Sequence, residues 1–590
     1  MCAIAGELRT DGRRASAGVV ERMCSLMEAR GPDGGGIFAQ NEIALGHRRL
    51  KIIDISDRSS QPMSDSYLDA SIVFNGAIYN YQELRGTLEG MGFRFFSSGD
   101  TEVLLKAYRA WGDRFVERLN GMFAFALWDK KEGRLLCGRD RLGIKPFYYS
   151  EISGAFRFAS ALPALASSGG VDTTLDKSSL HNYMTFHSVV PAPATILRGI
   201  RKLPPATVLS VDRKGRKRMR TYWKLSFSPR AEDRGKGREE WSLEILACLR
   251  KSVRRRLVAD VPVGVLLSGG LDSSLVVGLL AQEGQRRLET FSIGFESVGG
   301  LEGDEFRYSD VVANRFATKH RKLRISGREM LSALDACVGS MSEPMVSHDN
   351  IGFYLLSREV ARSVRVVQSG QGADEVFGGY HWYPPLAESK RPANDYARVF
   401  FDRTHEDLKS VLSRGWTDRD YSGEFVKRHF ALSGARRPVD KALRIDTTVM
   451  LVDDPVKRVD NMTMAWGLEA RVPFLDHELV ETAARIPSKF KLAEGGKGVL
   501  KHAARSVIPH EVIDRPKGYF PVPGLTHLRG DALRFVREHA LGPSARRRAV
   551  FKRSYVEKLL KSPDGHLTPL GGSKLWQIAL LNFWLDRHGL

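Results

Sequence analysis

The run VPVGVLLSGGLDSSLVVGLLA, Val261 to Ala281, constrains this chain more than any other segment. It is strongly apolar and long enough to suggest a membrane span. Yet Asp272 and a Ser/Gly cluster stand at its centre, and a charge at that depth of a bilayer is costly. The run reads better as a strand (Val265-Leu266-Leu267), a polar loop (Ser268 to Ser274) and a buried helix. Such a loop presents backbone N–H groups and hydroxyls at a helix N-terminus, which is an anion site. Gly269 and Gly270 permit a tight turn and close approach of a ligand. No lysine follows the second glycine, so this is not the Walker-type phosphate loop.

A second acidic stretch, SGQGADEVFGGY (Ser369 to Tyr380), follows the apolar strand VRVVQ. Asp272 and Asp374 are each expected to end a strand of one parallel sheet, where such sheets bind ligands. Two carboxylates there can hold Mg²⁺ together with phosphate oxygens and water. The surroundings agree: apolar strands at Gly264–Leu267, Thr290–Ile293 and Val364–Gln368 alternate with long helices, an α/β pattern. From Pro384 the chain reads as mostly helical without a repeat, and Leu575–Trp584 as an apolar helix docking on the body.

The front of the chain is different. Short β-type runs (Ile43–Leu45, Ala70–Phe74, Met122–Trp128, Arg134–Cys137) alternate with helical patterns at Val19–Met27, Tyr81–Met91 and Glu102–Trp111. Leu203–Tyr222 reads as a strand, a basic turn and another strand. A length of 590 residues requires two or more domains. The polar stretch SFSPRAEDRGKGREE gives the division: residues 2–225, a linker at 226–240, and residues 241–590.

The formal net charge of +21 attracts nucleic acid, anionic surfaces or phosphorylated ligands without choosing among them. Basic runs such as RKGRKRMR (213–220) and RRRAVFKR (546–553) lack interleaved aromatic platforms and a nucleic-acid module, so neither nucleic acid nor membrane is an expected partner. Five scattered cysteines without CxxC pairs argue against a disulfide framework and a zinc site. The start lacks a basic n-region, and Glu7 and Arg9 interrupt any apolar run, so no signal peptide is read there. A reducing cytoplasm is the expected compartment.

The chain begins MCAIAGEL, with Cys2 at its extreme end, where a buried structural thiol is unusual because termini fray. MCAIAGEL, RGPDGGG, HRRLKIID, FNGAIYN, SSGDTEV, NGMFAFALWD, RDRLGIKPFYY, SGGLDSS, SGQGADEVFGGY and MAWGLEARVPFLD occur in this order. That layout resembles the glutamine-hydrolysing asparagine synthetase family from Cys2 to about Arg505. The resemblance implies an α+β front domain, an Ntn-type four-layer αββα sandwich with class II glutamine amidotransferase activity. Behind it come an α/β parallel-sheet PP-loop domain (adenine nucleotide alpha hydrolase-like) and a helical C-terminal part.

It further implies that removal of Met1 leaves Cys2 as the nucleophile, with its own α-amino group as base, a recognised way to activate a thiol. Arg49 would take the glutamine α-carboxylate and Asp100 its α-ammonium, with Leu50 and Ile53 beside them; Asn75 and Gly76 would form the oxyanion hole. In the back domain it assigns Leu266 and Ile293 to adenine, and Ser268, Gly269, Gly270, Asp272, Ser273, Ser369 and Gly370 to ATP. Asp272 and Asp374 match Mg²⁺ ligands, and Lys497 the cation facing pyrophosphate, with Lys501 its rival. ATP and Mg²⁺ are thus the expected cofactors, and glutamine, ATP and an acceptor carboxylate the expected small-molecule partners; a homodimer is a family-level expectation.

Three positions depart from the family pattern. Ala3 replaces a glycine. Ala77 replaces the glutamate that helps hold the glutamine ammonium, which leaves open a member that uses glutamine poorly and takes free ammonia. Gln371 replaces a glutamate proton acceptor, and glutamine cannot act as a general base. The segments HNYMTFHSVVPAPATILRGIRKLPPAT, EPMVSHDNIGFYLLSREV, GYHWYPPL and RPKGYFPVPG resemble the subgroup that amidates the C-terminal carboxylate of N-acetylglutaminylglutamine; aspartate is the other acceptor.

Overall fold

The computed structural model describes residues 2–296, 303–516, 518 and 528–590. The front half is built on two six-stranded antiparallel sheets. The first contains β1 (Ala3–Arg9), β2 (Gly34–Gln40), β3 (Ile43–Arg49), β8 (Tyr148–Ile152), β9 (Ala155–Ala159) and β10 (Arg201–Lys202), in the order β10-β8-β9-β1-β3-β2. The second contains β4 (Met63–Asp65), β5 (Ala70–Ile78), β6 (Gly121–Asp129), β7 (Arg134–Arg139), β11 (Thr207–Asp212) and β12 (Lys217–Thr221), in the order β12-β11-β7-β6-β5-β4.

Period-two alternation sets the layers. Ile4 and Leu8 of β1 join Val73, Ala126, Leu135 and Phe156 in a buried cluster drawn from both sheets. Ala3 and Ala5, on the opposite face, meet Val20, Met23 and Cys24 of helix Ala17–Ser25. Helices Tyr81–Gly90 and Asp100–Trp111 cover the far face of the second sheet through Leu84, Leu88, Val103 and Leu104.

The back half holds a five-stranded parallel sheet of β13 (Val263–Leu266), β14 (Glu289–Phe295), β15 (Lys319–Ile325), β16 (Val366–Gln368) and β17 (Glu469–Arg471), ordered β15-β14-β13-β16-β17. The chain steps from β13 to β14 on one side and later to β16 on the other. The crevice at the carboxyl ends of β13 and β16 is therefore a topological switch point. The apolar run that dominates the sequence becomes β13, a loop and helix Leu271–Gln282; no helix among the described residues is long and apolar enough to cross a membrane. Asp272 lies in the first turn of that helix and Asp374 in the first turn of helix Ala373–Phe377, so each follows the loop after its strand rather than ending the strand as expected.

Elsewhere the expected strands at Ile43–Leu45, Ala70–Phe74, Met122–Trp128, Arg134–Cys137 and Thr290–Ile293 fall inside β3, β5, β6, β7 and β14; Gly264–Leu267 and Val364–Gln368 overlap β13 and β16, and the strand–turn–strand read over Leu203–Tyr222 contains β11 and β12. β17 departs from the expectation: a three-residue strand within a region read as helical. Its hydrogen-bond partner β16 lies about a hundred positions away, so local periodicity carries no trace of it. The terminal helix Lys574–Arg587 is buried along nearly its whole length, as its composition requires.

The halves meet across buried charge. Arg30 and Lys145 pair with Asp460 at 2.9 and 3.2 Å, and Lys202 pairs with Glu343 at 2.9 Å. Tyr79, just past β5, lies against the guanidinium groups of Arg256 and Arg471. Removing one partner from such pairs strands the other charge, at about 3–5 kcal/mol. The polar segment at 226–240 is also tethered. Phe227 is buried and donates its N–H to Gly434 O (2.8 Å), and Asp233 accepts from Arg485.

Candidate functional site

Two cavities contain most of the residues singled out from the sequence. The first, of about 30 Å³, is lined by Cys2, Arg49, Leu50, Ile53, Gly76 and Asp100, with Ala77 and Glu469. Because β1 pairs in the middle of its sheet, Cys2 is fixed rather than frayed, and it is only 8% exposed. Its backbone nitrogen donates to Asn75 Oδ1 at 3.1 Å. Burial pushes the Cys2 thiol up from its ordinary value.

Asn75 sits on β5 opposite Ala124 and is wholly buried, and its Nδ2 has no hydrogen-bond partner. A buried orphan donor is costly, and its presence beside a thiol suits a site where negative charge develops. Gly76 must lack a side chain: a Cβ there would lie 2.1 Å from Met122 O.

Arg49, at the end of β3, is held by the turn that follows. Its Nη1 donates to Ser56 O at 2.8 Å and its Nη2 to Asp54 O. Asp100 opens helix Asp100–Trp111, accepts from Ile78 N at 3.0 Å and is wholly enclosed. Burial, with the Glu469 carboxylate nearby, raises its pKa to about 7. Glu469 reaches this pocket from β17 of the other sheet and was not anticipated. Its neighbourhood is set by docking of the halves, which no local pattern reports.

The second cavity, of about 340 Å³, opens at the switch point. Leu266, Ser268, Gly270, Asp272, Ser273, Ile293, Ser369, Gly370, Asp374, Lys497 and Lys501 all line it. Gly269 does not: it turns at φ +75°, and a Cβ there would meet Ser309 N at 2.5 Å, so its smallness packs the loop on helix Phe306–Arg315. Ser268 and Ser273 join their hydroxyls at 3.1 Å, which closes the loop on itself.

Lys497 is the pivot. Its Nζ lies 2.6 Å from Asp272 Oδ2 and 2.9 Å from Asp374 Oδ1. Burial alone would lower the Lys497 pKa, but the two carboxylates raise it instead. Lys497 holds a left-handed backbone (φ +56°) at the start of helix Gly498–Ala504, a costly conformation for a non-glycine residue. Gly379 makes room for the group, since a Cβ would fall 2.0 Å from Asp374 Oδ1 and 2.3 Å from Lys497 Cε. Lys501, the rival, instead donates to Glu494 O.

The wall beyond Asp374 carries Asp349, Phe353, Gln371, Glu375, Tyr380 and Arg458. Tyr380 donates its O–H to Glu375 Oε1 at 2.6 Å. Burial and the adjacent Asp374 raise the Glu375 pKa to about 7. Glu375 lies on helix Ala373–Phe377, just past the turn that holds Gln371, and was missed because its charge reads as an ordinary helix acid. Of RPKGYFPVPG, Arg515, Pro516 and Gly518 are described and Arg515 and Gly518 line this cavity; Lys517 and Tyr519 to Gly524 lie outside the described residues.

One further group has ligand-like spacing among the described residues: His181, His405 and Asp420. Ser422 Oγ donates to Asn182 Oδ1, so it accepts from His181 Nδ1 at 2.8 Å. His181 Nε2 then accepts from His405 Nδ1 at 3.1 Å, and hydrogen bonds account for the contact.

Comparison with known proteins matches residues 1–223 to the glutamine amidotransferase domain and residues 244–586 to the asparagine synthase domain. Asparagine synthetase [glutamine-hydrolyzing] 1 of Bacillus subtilis is 32% identical, over 96% of this chain and 93% of that protein. A putative asparagine synthetase [glutamine-hydrolyzing] of Mycobacterium tuberculosis is 35% identical over 90% and 88%. Asparagine synthetase B of Escherichia coli is 29% identical over 88% and 82%.

Proposed function

The chain belongs to the glutamine-hydrolysing asparagine synthetase family and is an ATP-dependent amidotransferase ligase. From that premise we propose that it amidates the C-terminal carboxylate of N-acetylglutaminylglutamine; the alternative reading is an asparagine synthetase acting on aspartate. In this reading the front half is the Ntn-type four-layer sandwich (2–225), and the region after 226–240 is the PP-loop synthetase (241–590).

At the first site the Cys2 thiolate attacks the glutamine carboxamide. Arg49 takes the substrate carboxylate and Asp100 its ammonium, while Asn75 Nδ2 and Gly76 N–H receive the oxyanion. Ammonia leaves, and water clears the thioester to glutamate. The Asn75 Oδ1 contact fixes the Cys2 nitrogen, which becomes the α-amino base once Met1 is removed.

At the second site an acceptor carboxylate attacks the ATP α-phosphate. This gives an acyl-adenylate and releases pyrophosphate toward Lys497. Asp272 and Asp374 already converge on one cation with oxygen donors, a set that suits Mg²⁺. When bound, the ion would neutralise phosphate charge. Ammonia then attacks the acyl carbon and AMP departs. The adduct must lose a proton, and the Glu375 carboxylate on the cavity wall is suited to accept it where the Gln371 amide is not.

The acceptor assignment rests on that same wall. Each carboxylate among its described residues already has a partner: Asp272 and Asp374 on Lys497, Asp349 on Arg458, Glu375 on Tyr380, Glu305 on Arg515 and Asp304 on Arg324. Those pairings set the charge that an acceptor meets on this wall. Asp349, Phe353 and Tyr380 come from the segments that carry the subgroup resemblance, and Ser188 of a third supports them by accepting Val346 N–H at 3.3 Å. Purified protein given ATP, Mg²⁺, amide-¹⁵N glutamine and both acceptors decides it by mass spectrometry. Labelled dipeptide amide with AMP is expected; labelled asparagine alone would assign the enzyme to aspartate.

A further inference from the structure

We propose that Glu469, a residue of the synthetase half, completes the glutamine pocket by supplying with Asp100 the anionic subsite for the substrate α-ammonium. The inference rests on the glutaminase reading above and assigns a binding residue across the domain boundary. The pocket that holds Cys2 and Arg49 has Ala77 on one wall, which offers no charge, and Glu469 on another. Glu469 is 1% exposed. Its position is fixed at both ends of β17. Arg471 Nε donates to Glu469 Oε1 at 2.5 Å, and Arg471 Nη1 is anchored on Arg256 O and Val258 O at 2.9 and 2.8 Å. The other end of β17 meets the nucleotide loop, where Ser369 N donates to Arg471 O at 2.9 Å. One short strand thus carries a carboxylate into the glutamine pocket and a carbonyl onto the ATP loop.

The electrostatics agree with an anion meant to meet a cation. Burial alone would raise the Glu469 pKa, but Arg471 holds it below its ordinary value, so it stays ionised. Asp100 is raised, by burial first and by the Glu469 charge in addition. Two buried carboxylates facing one small cavity are stabilised by an ammonium between them, and Arg49 opposite takes the other end of an amino acid zwitterion. Asp100 faces Glu469 and Arg471 from β17, Cys2 just before β1, Arg49 from β3 and Tyr81 from the preceding helix.

The test uses the full-length enzyme and its Glu469→Gln and Glu469→Asp variants, with glutaminase and ammonia-driven synthesis measured side by side. Glu469→Gln is expected to raise KM for glutamine by about tenfold, equivalent to about 1.4 kcal/mol, with kcat little changed. Glu469→Asp is expected to recover part of the affinity. The acid limb of kcat/KM for glutamine is expected to move slightly to lower pH in Glu469→Gln, because burial still raises the Asp100 pKa but the added push from the Glu469 charge is lost. An unchanged KM and pH limb overturns the proposal, and so does parallel loss of glutaminase and ammonia-driven synthesis, which marks a purely structural residue. If the wild type makes no amide from ammonia, the amide-synthase reading falls, while glutamine KM still tests Glu469.

Discussion

The two pockets handle charge in opposite ways. The glutamine pocket is small, lies where β1 begins and β3 ends within antiparallel sheets, and fixes its guanidinium on backbone carbonyls of the turn after β3. The nucleotide cavity is some tenfold larger, lies at the carboxyl ends of parallel strands, and balances its cation between two carboxylates from different βα units. The first is preorganised for one small zwitterion, so its chemistry depends on a few fixed atoms. The second holds a Lys–Asp–Asp cluster that a phosphate or a metal ion must rearrange, so its chemistry depends on which cation the carboxylates face.

Substitution should pull the two pockets apart. Cys2→Ala should cut glutamine-driven synthesis by at least about 10³-fold while ammonia-driven synthesis persists. Loss of both would erase the division between the pockets. Asp374→Asn should lower synthesis from either nitrogen source by about 10²–10³-fold and leave glutaminase turnover in place; AMP release and glutamate release, assayed separately, report the split. Glu375→Gln should slow amide formation by about 10²-fold while pyrophosphate release continues, because only the proton transfer after ammonia attack is lost. Equal loss of both products would show that Glu375 acts in adenylation instead.

The smallest effect is a pH dependence confined to the front pocket. Asp100 has its pKa raised to about 7, so it is protonated below that pH and cannot hold an ammonium. The free-enzyme kcat/KM for glutamine should therefore fall by about tenfold for each unit below that pKa. The corresponding value for ammonia, measured at constant free NH₃, should keep its own profile without that limb, because ammonia-driven synthesis does not use Asp100. Adding Asp100→Asn should flatten the glutamine limb and leave the ammonia profile.

Much of both pockets was legible in the sequence, because much of their chemistry is carried by short contiguous segments. SGGLDSS announces a strand, a turn and a helix N-terminus through composition alone, and the structure builds those elements there. Arg49, Asn75, Gly76 and Asp100 were found because each stands in a segment with a family counterpart, and the fold gathers all four around Cys2. Gly269 makes the tight turn expected of it, and its close packing on Ser309 is a second reason for a glycine that only the tertiary structure supplies. Glu375 and Glu469 went unread because an acid on a helix or strand looks the same whether it faces water or a cavity.

By itself the sequence determined the residue types available for chemistry, the two alternation patterns, and the strand–loop–helix units that present Asp272 and Asp374. These follow from local sterics, hydrogen-bond capacity and hydrophobic periodicity, which act over a few residues. Only the tertiary structure decided that Lys497 stands between those two aspartates, 225 positions from the first, and that a glutamate from the far half enters the Cys2 pocket. Such meetings depend on how sheets dock and which buried charges must find partners. Those conditions are imposed by packing in three dimensions, and no stretch of neighbouring residues encodes them.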